Sequence, residues 1–169
     1  MKKNNPIRFY SEKNALTGQL EHILEAEQFV PRPIPELFAF FSVETNLEEI
    51  TPPFLGFRVL GKSTPEIEAG TLIDYKLSLH GISMRWRTLI EIWEPGKRFV
   101  DTQLKGPYAL WHHTHTFEPA EGGTIVHDRV RYRLPFGWFG DLVAGWKVKR
   151  DVRAIFEYRA HVIREKFKV

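Results

Sequence analysis

The chain has 169 residues, the length of one domain, and it combines 43% hydrophobic with 27% charged residues. This mix excludes a disordered chain, a collagen-like chain and a coiled coil. The absence of cysteine excludes thiol catalysis, thiolate–zinc sites, iron–sulfur clusters and disulfides. The 13 Phe, 5 Tyr and 5 Trp residues are enough to fill a core or to line a cavity for an apolar ligand.

The positive charge is concentrated near the C-terminus. The net charge is +3, and residues 138–169 hold eight Lys/Arg against four Asp/Glu, which leaves −1 on residues 1–137. These charges are mixed in sign and lack an aromatic stacking platform, so we expect no nucleic-acid partner. No apolar segment follows the basic first residues, and no apolar run is long enough to cross a bilayer. We therefore expect a cytoplasmic protein without a transmembrane segment.

The first third of the chain predicts one strand and two short helices. Residues 1–20 are polar and contain Pro6 and Gly18, so they are interpreted as an N-terminal arm or irregular lead-in to a single domain over 21–169. The pattern over 22–30 predicts a strand that prolines terminate. Two short helices follow at 36–41, opened by Pro35, and at 47–50, capped by Asn46.

The rest of the chain predicts a β meander and one long helix. Alternating residues separated by Gly- and Pro-containing turns predict six further strands, at 57–60, 71–80, 83–93, 99–105, 110–117 and 124–134. A stripe of apolar residues at helical spacing, starting with Phe139, Leu142, Val143 and Trp146, then predicts a helix over 138–167. Such a helix is about 45 Å long and can cross a whole sheet.

Each of these elements has one apolar face, which restricts the architecture. The simplest solution is an α+β helix-grip fold, in which a curved antiparallel β-sheet wraps around the long C-terminal α-helix. The two short helices after the first strand would close one end. A cavity remains between sheet and helix wherever the sheet does not close tightly.

The segment 111–117 contains the densest group of side chains that could bind a ligand or catalyse a reaction. Strand periodicity places Trp111, His113, His115 and Phe117 on one face, with the two histidines about 7 Å apart.

The neighbouring strands add polar residues to this face. Asp101 and Gln103 share a face on one of them, and Asp128 lies in an apolar row with Tyr132 on the other. If these rows all point inward, the cavity contains two histidines, two aspartates and a glutamine among aromatic walls.

Three interpretations of this polar set are open. Alternating histidines with a carboxylate can bind zinc or iron, although the spacing fixes no third ligand. A histidine oriented by Asp101 or Asp128 can act as a general base. The set can also be a satisfied hydrogen-bond network that fixes the strands or orients a ligand. We favour the network, and expect no metal and no cofactor.

Four motif-bearing stretches carry a resemblance to a known family: Trp86–Ile90, Trp111–Phe117, Asp128–Pro135 and Phe156–Arg159. With the order of elements over 22–167, they make the chain similar to the SRPBCC superfamily of helix-grip proteins. That superfamily includes START lipid-transfer domains, polyketide cyclases and birch-pollen-allergen-like proteins. The stretches most resemble a bacterial ligand-binding subgroup. The resemblance implies the fold, and it leaves open whether such a scaffold carries, senses or transforms its ligand.

The leading hypothesis is a binding module for a small hydrophobic molecule, such as a lipid, a polyketide or an aromatic metabolite. Its expected ligand-contacting residues are Trp86, Thr88, Asp101, Gln103, Trp111, His113, His115, Asp128, Tyr132 and Tyr158. The alternative is a cyclase, dehydratase or isomerase without a nucleotide cofactor, in which His113 or His115 is the base and Asp101 or Asp128 orients it.

Two apolar loops predict the entrance for a ligand. Residues 54–57 and 134–140 combine aromatic side chains with Gly and Pro, and they are expected to admit a ligand, to contact a membrane transiently or to anchor against the helix.

Overall fold

The sheet and its helices follow the predicted plan. The computed structural model describes residues 7–168, in which eight antiparallel strands form one sheet in the order β1-β2-β8-β7-β6-β5-β4-β3. The strands are β1 Arg8–Lys13, β2 Leu20–Val30, β3 Arg58–Lys62, β4 Leu72–Leu79, β5 Ile82–Glu94, β6 Arg98–Lys105, β7 Leu110–Ala120 and β8 Gly123–Arg133. The helices are α1 Ile34–Phe41, α2 Asn46–Glu49 and α3 Trp138–Phe167, with a 3₁₀ turn at Pro53–Leu55. The α+β helix-grip fold is confirmed.

Alternation of side chains makes one face of the sheet apolar. Along β7, every second residue from Trp111 to Phe117 is buried, as the sequence predicts. A tight hairpin joins β4 to β5, because His80 and Gly81 both have positive φ, the conformation required by a two-residue turn of this kind. Short turns of this type keep consecutive strands adjacent and position the inward rows of β6, β7 and β8 side by side.

The interpretation of residues 1–20 as an irregular arm needs correction. Residues 8–13 form β1, which pairs with residues 20–25 of β2 at the edge of the sheet, while residues 1–6 lie outside the described part. An edge strand is held by backbone hydrogen bonds, and β1 is largely exposed. Its sequence therefore lacks the buried alternation by which the other strands are recognised.

The helix boundaries shift slightly from those predicted. The first helix begins at Ile34, and Asn46 lies inside α2 instead of capping it, with Thr45 at the cap position. The Asn46 side chain donates a hydrogen bond of 2.8 Å to the carbonyl of Phe40, so it ties α2 to the end of α1. Both helices close one end of the groove between sheet and α3, as expected.

Helix α3 spans the predicted 138–167, but its apolar stripe is buried only in its second half. The buried residues there are Val152, Phe156, Arg159, Ile163 and Phe167. The large apolar residues before them are exposed: Trp138, Phe139, Leu142, Val143 and Trp146. The expected continuous core stripe is therefore wrong for the first two and a half turns.

Candidate ligand-binding site

A cavity of about 210 Å³ lies between the inner face of the sheet, α3 and the two short helices. Its wall is mostly apolar and aromatic, with contributions from Phe41, Trp86, Trp93, Trp111 and Phe156. This space exceeds by more than tenfold the room that one buried water needs. It can therefore hold a small organic molecule.

The polar side chains gather on one wall of this cavity. Strand register places Asp101 opposite His113 and His115 opposite Asp128, so three neighbouring strands supply four polar groups at one level of the sheet. Helix α3 adds Arg159, which is only 7% exposed, from the opposite side. We call these five residues the polar cluster.

The hydrogen bonds of the polar cluster run diagonally between strands. His113 Nε2 lies 2.9 Å from Asp128 Oδ1, and His115 Nε2 lies 2.9 Å from Asp101 Oδ2. His115 Nδ1 lies 2.9 Å from Asp128 Oδ1 and 3.2 Å from Arg159 Nη2. Each histidine is thus anchored to a carboxylate of a neighbouring strand, and Arg159 connects the sheet to α3.

Aromatic rings enclose the polar cluster. The ring of Phe99 stacks on His115 with centroids 4.0 Å apart, and the two histidine rings lie 3.7 Å apart. The guanidinium carbon of Arg159 lies 5.1 Å from the ring centre of Phe41 and 5.9 Å from that of Phe156. These rings help to bury His113, His115 and Arg159, so electrostatic interactions inside the cluster are stronger than at the surface.

Burial and neighbouring charges set the protonation states. Burial, together with adjacent His115, lowers the pKa of His113 from 6.5 to about 4 despite the nearby carboxylates. Burial alone would raise the pKa of Asp128, but the charge of Arg159 and the histidine hydrogen bonds hold that pKa well below its usual value. The pKa of Asp101 is also lowered, because His113, His115 and Arg159 outweigh the effect of its burial. At neutral pH, both carboxylates are ionised and His113 is neutral.

The chemistry of the polar cluster fits an oriented, hydrogen-bonded histidine better than a metal centre. Ionised Asp128 accepts a hydrogen bond from His113 Nε2, so Nδ1 of the neutral ring carries the lone pair. Asp101, His113 and His115 each offer one possible ligand atom, and these atoms lie within 4.8 Å of one another. A carboxylate and two imidazoles are suitable donors for zinc or iron. The same carboxylates and rings already pair with one another, however, and the permanent cation of Arg159 repels a metal ion.

The structure brings most of the predicted site residues to the cavity. Trp86, Thr88, Asp101, Trp111, His113 and His115 line it. Asp128 belongs to the polar cluster, where it lies behind the histidines. The indole of Trp86 donates a 3.0 Å hydrogen bond to the Thr88 hydroxyl, which fixes both side chains on the wall.

Three predicted residues serve other contacts. The amide of Gln103 donates to the carbonyl of Tyr108 at 2.8 Å, so it shapes the turn between β6 and β7. Tyr132 packs in the core beside Trp111 and His22, where burial raises its pKa to about 12. Tyr158 is half-buried on α3, one residue away from the inward-facing Arg159. None of the three lines the cavity.

Sequence reasoning missed several polar side chains of the cavity, among them Arg159, Tyr75 and Tyr108. Arg159 had a detectable signal, since it occupies the apolar stripe between Phe156 and Ile163 at helical spacing. Tyr75 lies on the apolar side of the alternation in β4, and burial raises the pKa of its hydroxyl, which stays protonated. Tyr108 lies in a turn, where no periodicity marks the direction of a side chain.

Comparisons with known proteins agree with this fold. A comparison with curated proteins found no match. Among solved structures, the di-domain ARO/CYC StfQ from the steffimycin biosynthetic pathway is 15% identical with a TM-score of 0.68, over 86% of this chain and 50% of that chain. Ara h 8.0201 is 19% identical with a TM-score of 0.58, over 86% and 99% of the two chains.

A third solved structure is the nucleoside-diphosphate sugar epimerase from Corynebacterium glutamicum, which is 24% identical with a TM-score of 0.61. The match covers 86% of this chain and 29% of that chain. At these identities the three structures show the fold alone. Residues 30–157 match the family model described as polyketide cyclase / dehydrase and lipid transport. The chain therefore belongs to this family of the helix-grip SRPBCC superfamily, as its motifs predicted.

Proposed function

We propose that this protein binds a small, largely apolar molecule in the cavity and orients it through one oxygen-bearing end held by the polar cluster. One observation carries the proposal: the cavity wall is mostly apolar and aromatic, and its buried histidines and arginine, His113, His115 and Arg159, belong to one group, the polar cluster. Apolar surface supplies affinity, about 25 cal/mol for each Å² removed from water. A few localised polar groups then fix the orientation of the ligand. Binding of hydrophobic ligands or cyclase activity is what the family supports in general.

The charges of the polar cluster favour an uncharged oxygen, such as a ketone or ester carbonyl. Asp101 and Asp128 are both ionised, and Arg159 supplies one permanent positive charge against them. A carboxylate on the ligand would meet this excess of negative charge. A neutral carbonyl accepts a hydrogen bond without that repulsion. Among the described residues, Arg159 Nε is a buried donor without a hydrogen-bond partner. A ligand oxygen within reach of this nitrogen would be that partner.

Three naphthalene derivatives of nearly the same shape test this proposal. We expect 2-acetylnaphthalene to bind about tenfold more tightly than 2-ethylnaphthalene, because its carbonyl forms one additional hydrogen bond. We expect 2-naphthoate to bind more weakly than the ketone, because its carboxylate is repelled by Asp101 and Asp128. Arg159→Met should abolish the preference for the ketone while the hydrocarbon still binds. Arg164→Met, at an exposed position of the same helix, should preserve the preference. Equal affinities of the wild-type protein for ketone and hydrocarbon would refute the proposal.

The second candidate is an acid–base enzyme of the cyclase, dehydratase or isomerase type. The observation that favours it is the buried pairing of His113 with ionised Asp128, which orients the imidazole. The lowered pKa of His113, about 4, makes it a weak base and counts against this candidate. Such a base should remove a proton next to the carbonyl of bound 2-acetylnaphthalene. In D₂O this predicts protein-dependent deuterium incorporation into the methyl group, reduced about 100-fold or more in His113→Ala. A protein that only binds its ligand should give no exchange above the buffer rate.

A further inference from the structure

An exposed apolar surface covers the beginning of α3 and the residue pair before it. Its members are Phe136, Trp138, Phe139, Leu142, Val143 and Trp146, and we call them the aromatic tip. Their exposure ranges from 56% for Phe139 to 85% for Phe136. Isolated exposed apolar residues are ordinary, but six large ones within eleven positions form a patch of the kind that marks an interaction site.

Basic residues follow the aromatic tip on the same side of α3. Lys149, Arg150 and Arg153 follow Trp146 at spacings of three, four and seven residues, which places them on one helical face with the aromatic tip. The guanidinium of Arg150 lies 5.3 Å from the ring centre of Trp146, so the charged and aromatic groups are in contact. We call these three residues the basic belt. The surface thus changes from apolar to cationic along one direction.

The fold holds this end of α3 in place. His22 Nε2 of β2 lies 2.9 Å from Asp141 Oδ1 in the first turns of α3. A Cβ atom at Gly140 would clash with the carbonyl oxygen of Pro135, so the glycine permits close contact between α3 and the preceding loop. The aromatic tip is therefore displayed on an anchored helix.

We propose that the aromatic tip docks the protein onto the surface of an anionic lipid bilayer, with the basic belt against the lipid phosphates. Tryptophan and phenylalanine beside lysine and arginine are the composition of helices that bind in the membrane interface. A bilayer offers anions to the basic belt and apolar chains to the aromatic tip at the same time, whereas a second aromatic tip offers no anions. Among the described residues, no helix is long and apolar enough to span a bilayer, so the contact is peripheral.

Docking would bring the cavity close to the bilayer. Val148, Asp151 and Ile155 line the cavity. They follow the aromatic tip within one to three turns along α3, on the opposite face of the helix. The docking itself does not depend on the proposed ligand, since it rests on the exposed surface alone.

Vesicle co-sedimentation tests the docking. The wild-type protein should sediment with vesicles of phosphatidylcholine mixed with phosphatidylglycerol, less with phosphatidylcholine alone, and less at high salt. Phe139→Ser/Leu142→Ser should reduce binding at least about tenfold, because two apolar side chains no longer enter the interface. Lys149→Glu/Arg150→Glu should reduce binding to the mixed vesicles by a similar factor.

The matched control is Leu104→Ser, since Leu104 is 55% exposed on β6 and lies outside the aromatic tip. It should bind like the wild-type protein, and circular dichroism should show that all variants are folded. Trp138 and Trp146 should give a blue-shifted emission on the mixed vesicles. The proposal is overturned if the wild-type protein does not bind them or if Leu104→Ser is equally impaired. It is also overturned if light scattering shows a dimer that Phe139→Ser/Leu142→Ser dissociates, since a second copy then covers the tip.

Discussion

Arg159 connects the polar residues of the sheet to helix α3. It reaches from α3 to the carboxylate of Asp128 and the ring of His115, and in doing so it places a cation between groups that would otherwise leave buried negative charge unbalanced. Charged residues are seldom fully buried unless they are paired, and this pairing crosses the sheet–helix interface. We therefore expect Arg159 to support the fold in addition to its proposed contact with a ligand.

Removing this cation should destabilise the fold. We expect Arg159→Met to lower the free energy of unfolding by about 3 kcal/mol, the usual effect of breaking a buried ion pair by deleting one partner. Urea denaturation followed by circular dichroism measures it. Arg164→Met, on the exposed side of α3, should change the stability by less than about 0.5 kcal/mol. Equal stability of the two variants would show that the cluster does not need the guanidinium.

His113 makes a distinct prediction about pH. Its pKa is about 4 in the folded protein against 6.5 as the ordinary value, so between these values the unfolded chain binds more protons. The stability contributed by neutral His113 is complete above pH 6.5, falls progressively down to about pH 4 and then levels off. The loss is about 3 kcal/mol, from 1.4 kcal/mol for each pKa unit.

Urea denaturation across this pH range measures the loss. His113→Gln should flatten the dependence on pH between 6.5 and 4, because glutamine does not titrate. His161→Gln, at an exposed site on α3, should keep the wild-type slope. An NMR titration of the His113 ring with its midpoint near 6.5 would contradict this account.

At the scale of elements, sequence alternation predicted the direction of side chains where the strands are regular. Trp111, His113 and His115 alternate along β7 without interruption, and all three are buried as predicted. On β5, the pairing with β6 shifts between Ile90 and Ile92, which is a β-bulge. After it, Trp93 lines the cavity although plain alternation would direct it away. A bulge depends on the partner strand, so one strand's pattern cannot reveal it.

The hairpin between β4 and β5 also reaches across the cavity. His80 Nε2 lies 2.7 Å from Asp151 Oδ2 of α3, and Asp151 and Leu79 both line the cavity. The pair therefore connects the turn to the helix at one side of the cavity. We expect His80→Ala to increase the release rate of 2-acetylnaphthalene up to about fivefold, since a hydrogen bond of this kind contributes about 1 kcal/mol.

Stopped-flow measurements of release give this rate directly. His161→Ala serves as the control, because its side chain is exposed on α3. A release rate that His80→Ala leaves unchanged would mean that ligands leave by another route.

At the scale of the whole molecule, the order of elements was enough to predict the fold, and four motif-bearing stretches added the family. A meander of strands followed by a single long amphipathic helix has few ways to bury its apolar faces, and the helix-grip arrangement is one of them. The function is harder to predict, because one scaffold supports binding and catalysis alike. Polar residues on otherwise apolar faces, such as His113 on β7 and Arg159 on α3, mark the candidate site within that scaffold.

The exposure of the first turns of α3 could not be predicted from the sequence pattern either. Phe139, Leu142 and Trp146 have the spacing of a buried stripe, and nothing in the spacing says where the sheet ends. The same pattern therefore predicts core packing in one half of the helix and becomes an exposed surface in the other.

A crystal structure with bound 2-acetylnaphthalene tests the central claim most directly. The account predicts the rings between sheet and α3, against Trp86, Trp111 and Phe156, with the carbonyl oxygen within hydrogen-bond distance of Arg159 or a histidine of the polar cluster. A ketone bound outside the cavity, or bound with its oxygen directed away from these groups, would contradict the proposal that the polar cluster orients the ligand.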